Sequence, residues 1–173
     1  MTGKVLTLFL VAAALAAGLA MYYLQVYAFY EDVPENDAEI VLMRAGEDTA
    51  EPIPFETFEG IDADSSPIRY RACFSTEVSL EAARERFEAY PDAAPRVAPG
   101  WFSCFDAEAI GEMIADGRAG VFLSEANIEY GIDRVVAITE DGFGYVWHEI
   151  NDCGEKSYDG TPLGEDCPPR PES

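Results

Sequence analysis

The feature that most constrains this chain is an uncharged apolar run from Val5 to Tyr30, preceded by a single Lys4. As a helix rising about 1.5 Å per residue, Val5 to Tyr27 reaches roughly 35 Å, enough for a ~30 Å hydrocarbon core with some tilt. The run begins rich in Leu, Val and Ala and then turns aromatic. Tyr22, Tyr23, Tyr27, Phe29 and Tyr30 fall where an interfacial belt belongs. A cleaved signal peptide is the alternative, because Gly18-Leu19-Ala20 supplies the small residues that signal peptidase accepts. A signal core is normally only about 7–15 residues long, so an uncleaved anchor explains the length better. Lys4 precedes the span and no Lys or Arg follows it until Arg44, which by the positive-inside rule leaves the amino terminus cytoplasmic. The expected location is a bacterial inner membrane crossed once, with the C-terminal domain in the periplasm. Pairs such as Ala14 and Gly18 have the spacing that lets two membrane helices approach closely.

Charge then limits the partners. All 33 Asp and Glu follow the span and only Lys4 of the 11 basic residues precedes it, so the exported part is more negative than the net −22 of the whole chain. Such a charge repels nucleic acid and anionic lipid surfaces, steers basic partners, and keeps a protein soluble where salt screens self-repulsion. The expected partners are the membrane, through one N-terminal span, and another envelope membrane protein, a basic soluble protein such as a cytochrome c, or both. Nucleic acid is not among them.

Cys73, Cys104, Cys153 and Cys167 all lie on the side assigned as oxidising, where thiols pair. Four cysteines allow three pairings. Cys73 with Cys104 and Cys153 with Cys167 is favoured, since each bridge then joins segments of one region, the first in the folded body and the second in the tail. The tail bridge closes a loop of about 15 residues, worth roughly 3 kcal/mol on a chain-entropy estimate. There is no Cys-x-x-Cys, and no cysteine stands at zinc-ligand spacing from another or from His148, the single histidine. Thioredoxin-like redox chemistry, structural zinc and copper delivery therefore have no support, and no metal site or cofactor is expected.

The chain divides into a cytoplasmic N-terminus and anchor (1–30), an acidic stalk (31–37), an exported α+β domain (38–150) and a polar, disulfide-stapled tail (151–173). A strand is expected at Glu39–Met43, a proline-broken loop from Gly46 to Gly60, and a half-buried strand at Ile68–Ser75 with Ile68, Tyr70, Ala72 and Phe74 on one face. Ser79 caps a helix whose stripe of Leu80, Ala83, Phe87 and Tyr90 runs to Pro91, and Asp106 caps a second carrying Ile110, Met113 and Ile114 up to Gly117. Ala119–Ser124 is a further strand. Asp141-Gly142 signals a type I′ hairpin between Arg134–Glu140 and Phe143–Glu149, which pairs Ile138 with Tyr145, Val136 with Trp147 and Arg134 with Glu149. The order predicts α+β: an N-terminal transmembrane helix, then a small antiparallel sheet with two helices packed on one face.

No motif that carries chemistry rises above this background, and no catalytic residue is assigned. Asp62-Ala-Asp64-Ser-Ser suggests calcium, but an EF-hand needs Gly at its sixth position and Glu at its twelfth, where Pro67 and Cys73 stand. A non-standard cation site from Glu59, Asp62 and Asp64 competes with a solvated turn. Carboxylate pairs such as Asp62/Asp64 or Asp106/Glu108 arise by chance at this acid content. His148, placed opposite Val135 and away from Trp147, reads as a half-buried strand residue rather than a base. No serine has nucleophile-elbow context, and Gly142-Phe143-Gly144 belongs to the hairpin. Phe55 with Phe58, and Trp101, Phe102 and Phe105, form a possible partner surface, against the alternative that they fill the core.

Met21–Tyr30, Phe58–Pro67, Arg71-Ala72-Cys73-Phe74, Pro99–Asp106, Asp133–Ile138 and Gly144–His148 resemble an uncharacterised bacterial family of short, single-span proteins of unknown function. The resemblance covers roughly Lys4 to Asn151 and implies no activity, cofactor or partner. From the residues alone the leading expectation is a membrane-anchored acidic periplasmic interaction module, an accessory subunit or assembly factor of a membrane protein complex. A ligand-binding or sensory ectodomain and a carboxylate-based hydrolase are the alternatives. The sensory role is disfavoured because only Met1 to Lys4 lies on the inner side.

Overall fold

The computed structural model describes residues 2–164 and 167–169. Helix α1 (Thr2–Tyr23) continues into a π-helical turn, Leu24–Ala28. Gly3–Ala28 has a mean hydropathy of 2.2 in its most apolar stretch, none of which is buried. An apolar helix that buries no face in protein is what a lipid-facing span requires, and this one is long enough to cross a membrane.

The remaining elements are β1 (Glu31–Val33), β2 (Val41–Met43), β3 (Ala50–Pro52), β4 (Glu56–Asp62), β5 (Arg71–Ser75), α2 (Leu80–Arg86), α3 (Ala107–Ala115), β6 (Ala119–Glu129), β7 (Ile132–Thr139) and β8 (Phe143–Ile150). Six strands make one antiparallel sheet in the order β1-β4-β5-β8-β7-β6, and β2 and β3 pair separately. The class is α+β, as the sequence implies. The segment expected to be a stalk is instead the sheet's edge strand: Glu31 pairs with Asp62, Asp32 with Ile61 and Val33 with Gly60, before a 3-10 turn at Glu35–Asp37. The expected loop from Gly46 to Gly60 likewise holds β3 and most of β4. Its prolines are tolerated because Pro52 lies in the small two-stranded pair and Pro54 falls between strands.

Side-chain alternation sends two sets of residues to opposite faces. Ala72, Phe74, Val136, Ile138 and Val146 pack under Leu80 and Ala83 of α2, together with Leu42 and Ile53. Cys73, Val135, Ala137 and Trp147 pack under Ile110 of α3 with Phe102 and Phe105. The two helices thus take opposite faces, rather than sharing one. The Cys73–Cys104 disulfide ties the segment entering α3 to the Cys73 face, which accounts for the difference.

Between the helices the chain must change face, and it does so along the sheet edge. Phe87 leaves the helix at φ −112, ψ 154, four residues before the expected stop at Pro91. The Glu88 N–H donates to Met43 O at 2.8 Å, while Leu123 N–H donates to Glu88 O and Tyr90 N–H to Val121 O, both at 2.9 Å. Residues 87–90 therefore cover the open edge of β6 and join it to β2, which removes a template for aggregation. The caps behave as their sequence suggests. Ser79 Oγ accepts from Ala82 N–H, Asp106 Oδ1 from Glu108 and Ala109 N–H, and Gly117 closes α3 at φ 74.

The β7–β8 hairpin forms one residue out of the expected register. Ile138 faces Gly144, Val136 faces Val146, Val135 faces Trp147 and Arg134 faces His148. A type I′ turn needs positive φ at both central residues, and only Gly142 has it, at 79°. Gly142 N–H donates to Thr139 O at 3.2 Å, Phe143 N–H donates to the Thr139 hydroxyl at 3.1 Å, and Glu140 N–H turns away to Arg118 O at 2.9 Å. That makes a three-residue loop with a glycine bulge. In the tail, Cys153 is bridged to Cys167. Residues 165, 166 and 170–173 of the segment assigned to that tail lie outside the described residues.

Candidate functional site

Two pockets of opposite character meet at the β7–β8 end of the sheet. The first is an acidic cleft. Register places Asp133 directly opposite Glu149, both buried and on the Trp147 face. Asp133 accepts from Asn127 N–H at 2.8 Å, Asn151 Nδ2 at 2.7 Å and the Tyr90 hydroxyl at 3.2 Å. Glu149 accepts from Trp147 Nε1 at 2.7 Å, Ala94 N–H at 2.8 Å and Arg96 Nη2 at 3.0 Å. Two carboxylates facing one another across a ladder repel, and burial adds a desolvation cost; three donors on each are what makes the pair tolerable. Burial raises the Tyr90 phenol above its ordinary value, and the adjacent Asp133 raises it further. The cleft holds about 660 Å³ and is also lined by Asp92, Asp152 and Glu155. The tail forms its far wall, with Gly131 and Gly154 so close that a Cβ on Gly131 would lie 2.4 Å from the Gly154 Cα.

The second pocket, also about 660 Å³, lies between the end of the apolar helix and the loop before Trp101. Arg71 of β5, only 4% exposed, forms its back. Its Nε donates to Arg96 O at 2.8 Å, and its Nη atoms donate to the carbonyls of Ile68, Tyr70 and Val97. Burial lowers its pKa to about 10. Arg96 donates to His148 O through Nε and to Glu149 through Nη2, so it lines this pocket while its partner lines the cleft. Arg69 sits 5.5 Å over the Tyr30 ring.

His148 lies between β8 and the 62–70 turn, opposite Arg134 and fully inside rather than half-buried. It stacks on Tyr70 at 5.0 Å, its Nε2 accepts from Arg134 Nε at 3.1 Å, and Nδ1–H donates to Pro67 O. Burial pulls its pKa down to about 4 against the opposing pull of the Pro67 carbonyl, and Arg134 and Arg71 deepen the depression. A neutral ring with both nitrogens committed positions the turn and is not poised to take a proton. Asp62 and Asp64 border a small pocket beside it, but among the described residues no three His, Cys, Asp or Glu side chains converge to hold an ion.

The five aromatics considered as a partner surface are scattered. Phe58 belongs to the α2-side core, with Phe55 partly exposed against it at 5.8 Å; Phe102 and Phe105 belong to the α3-side core. Trp101, 37% exposed, docks on the apolar helix instead. Its Nε1 donates to Val26 O at 2.7 Å, and its ring lies 6.2 Å from Tyr27 and 5.9 Å from Tyr30. Tyr22, Tyr23, Tyr27 and Phe29 are exposed around the helix end, and Tyr30 is partly buried.

Sequence reasoning missed Asp133, Glu149, Tyr90 and the three arginines. The slipped register paired Arg134 with Glu149 as opposite charges, which hid the facing carboxylates. The signal that could have revealed Arg71 is its place two residues before Cys73. A strand face that carries a bridged cysteine is covered, so a charge on that face is buried.

Fold and site together define an α+β domain with its sheet covered on both faces, set directly behind an apolar helix. Residues 40–168 match the Family of unknown function (DUF6446), and the protein belongs to that family. No curated protein and no solved structure matches the chain.

Proposed function

We propose that the protein is a single-pass, membrane-anchored interaction module of the bacterial envelope. Its amino terminus is cytoplasmic and its acidic domain periplasmic, and it serves as an accessory subunit or assembly factor of a membrane protein complex. The observation that carries this reading is the seating of Trp101 on the Val26 carbonyl and the Tyr27 and Tyr30 rings, next to an edge strand that starts at Glu31. The domain is clamped to the end of its apolar helix, a geometry suited to presenting a surface at a fixed height above the bilayer. Two disulfides fit an oxidising compartment. The acidity at that height steers a basic soluble protein toward the membrane.

The test is a mild-detergent pull-down of tagged, full-length protein from its own membranes at low and high salt, with mass spectrometry of what co-purifies. Reporter fusions at each terminus read the topology. A stoichiometric membrane complex supports the accessory role, and salt-sensitive loss of a basic soluble protein assigns the acidic face. Recovery of the protein alone under both conditions sinks the interaction reading. One observation favours a ligand-binding role, the cleft beside Asp133 and Glu149, since its further acidic lining of Asp92, Asp152 and Glu155 in a cavity of this size suits a small cationic ligand.

A further inference from the structure

We propose that the arginine pocket beside the helix exit binds the phosphate of an anionic phospholipid headgroup, with Arg69 and Arg96 at the anion and Arg71 as the buried positive charge behind them. The inference rests on the membrane placement proposed above. Its first support is composition. In a chain with 33 acidic and 11 basic residues, three arginines and, among the described residues, no acidic one line this pocket. Its second is unspent charge. Among the described residues neither Arg69 nor Arg71 has a carboxylate within ion-pairing distance; Arg71 is held by carbonyl oxygens and Arg69 by a tyrosine ring. A buried guanidinium without an anion is expensive to hold, and a planar fork of N–H donors is the group best matched to phosphate oxygens.

Position selects a lipid as the source of that phosphate. Gln25 and Val26, in the last turn of the apolar helix, form one wall, so the pocket opens where headgroups would lie. The opposite rim is apolar: Val97 is 82% exposed and is followed by Ala98 and Pro99. An exposed valine beside an arginine pocket suits a boundary with acyl chains on one side and phosphates on the other. The net negative charge of the domain opposes general adsorption to an anionic membrane, so binding is confined to this one opening.

The experiment is calorimetric titration of the full-length protein in an uncharged detergent with dioctanoyl phosphatidylglycerol, dioctanoyl phosphatidylcholine and inorganic phosphate. Arg69→Gln is the informative variant because, among the described residues, the Arg69 side chain makes no hydrogen bond or ion pair and lies over the Tyr30 ring, so its thermal midpoint stays at the parent value. Arg118→Gln, on the far surface beside Asp116, controls for general attraction to charged micelles. Phosphatidylglycerol should bind at least about tenfold more tightly than phosphatidylcholine, and Arg69→Gln should lose about tenfold while Arg118→Gln loses nothing. Equal affinity for the two lipids, or unchanged affinity in Arg69→Gln, overturns the site. Inorganic phosphate binding as tightly as phosphatidylglycerol overturns the lipid source. The titration does not depend on topology or on any protein partner, so its failure is separate from a failure of the pull-down or the fusions.

Discussion

The acidic cleft and the arginine pocket share a wall and handle charge in opposite ways. In the cleft, Asp133 and Glu149 each accept three hydrogen bonds, so their charge is answered inside the protein. In the pocket, Arg71 is surrounded by carbonyl dipoles and Arg69 by a ring, so positive charge is left over. The Arg96–Glu149 ion pair is the boundary between them. Net charge describes neither. A chain at −22 gathers three of its 11 basic residues in a pocket beside its apolar helix.

Breaking the shared wall has the largest expected effect. Glu149→Leu leaves Trp147 Nε1, Ala94 N–H and Arg96 without their acceptor and should cost about 3–5 kcal/mol in urea unfolding. An effect below 1 kcal/mol would mean that the pair is not structural. Next comes a pH effect at His148, which lies under the 62–70 turn beside the small Asp62 and Asp64 pocket rather than in either of the two compared. The folded pKa of His148, about 4, lies below the ordinary 6.5, so the unfolded chain binds the extra proton between those values. The stability due to a neutral His148 is therefore complete above pH 6.5 and is lost as the pH falls toward 4, on the order of 3 kcal/mol. Denaturation curves across that window should flatten in His148→Gln; an unchanged slope would assign the loss to other groups. Asp133→Ala acts on the cleft alone, removing one acceptor from three donors, and should cost roughly 2–3 kcal/mol without moving lipid affinity. Arg69→Gln is the smallest, within about 0.5 kcal/mol in stability. A larger loss would show that its contact with Tyr30 holds the domain to the helix.

What the sequence revealed was local and what it hid was long-range. The caps at Ser79 and Asp106, the stop at Gly117 and the two disulfides depend on neighbours or on compartment, and they stand as the pattern suggests. Phe87 and Tyr90 continue the α2 stripe with helical spacing, and nothing local forbids it. Ladder bonds to Met43 and Val121, distant in sequence, pull them into extended backbone. The hairpin is the same lesson at one residue's scale. Asp141-Gly142 fixed the place of the turn, but its length depends on whether Glu140 N–H stays in the hairpin or goes to Arg118 O. That choice decided whether Glu149 faced a cation or Asp133. Arg69 and Arg71 come together with Arg96 only when the loop before Trp101 folds back over β5, a contact no periodicity reports.

The edge strand beginning at Glu31 follows the π-helical turn by two residues and is held to β4 by three residue pairs. Mechanically this makes the helix a lever rather than a leash. A tilt or rotation of the helix within its membrane is delivered straight to the sheet, and any pull along it loads the β1–β4 ladder in shear before other strands bear force. Trp101 braces the same joint through the Val26 carbonyl and the Tyr27 and Tyr30 rings.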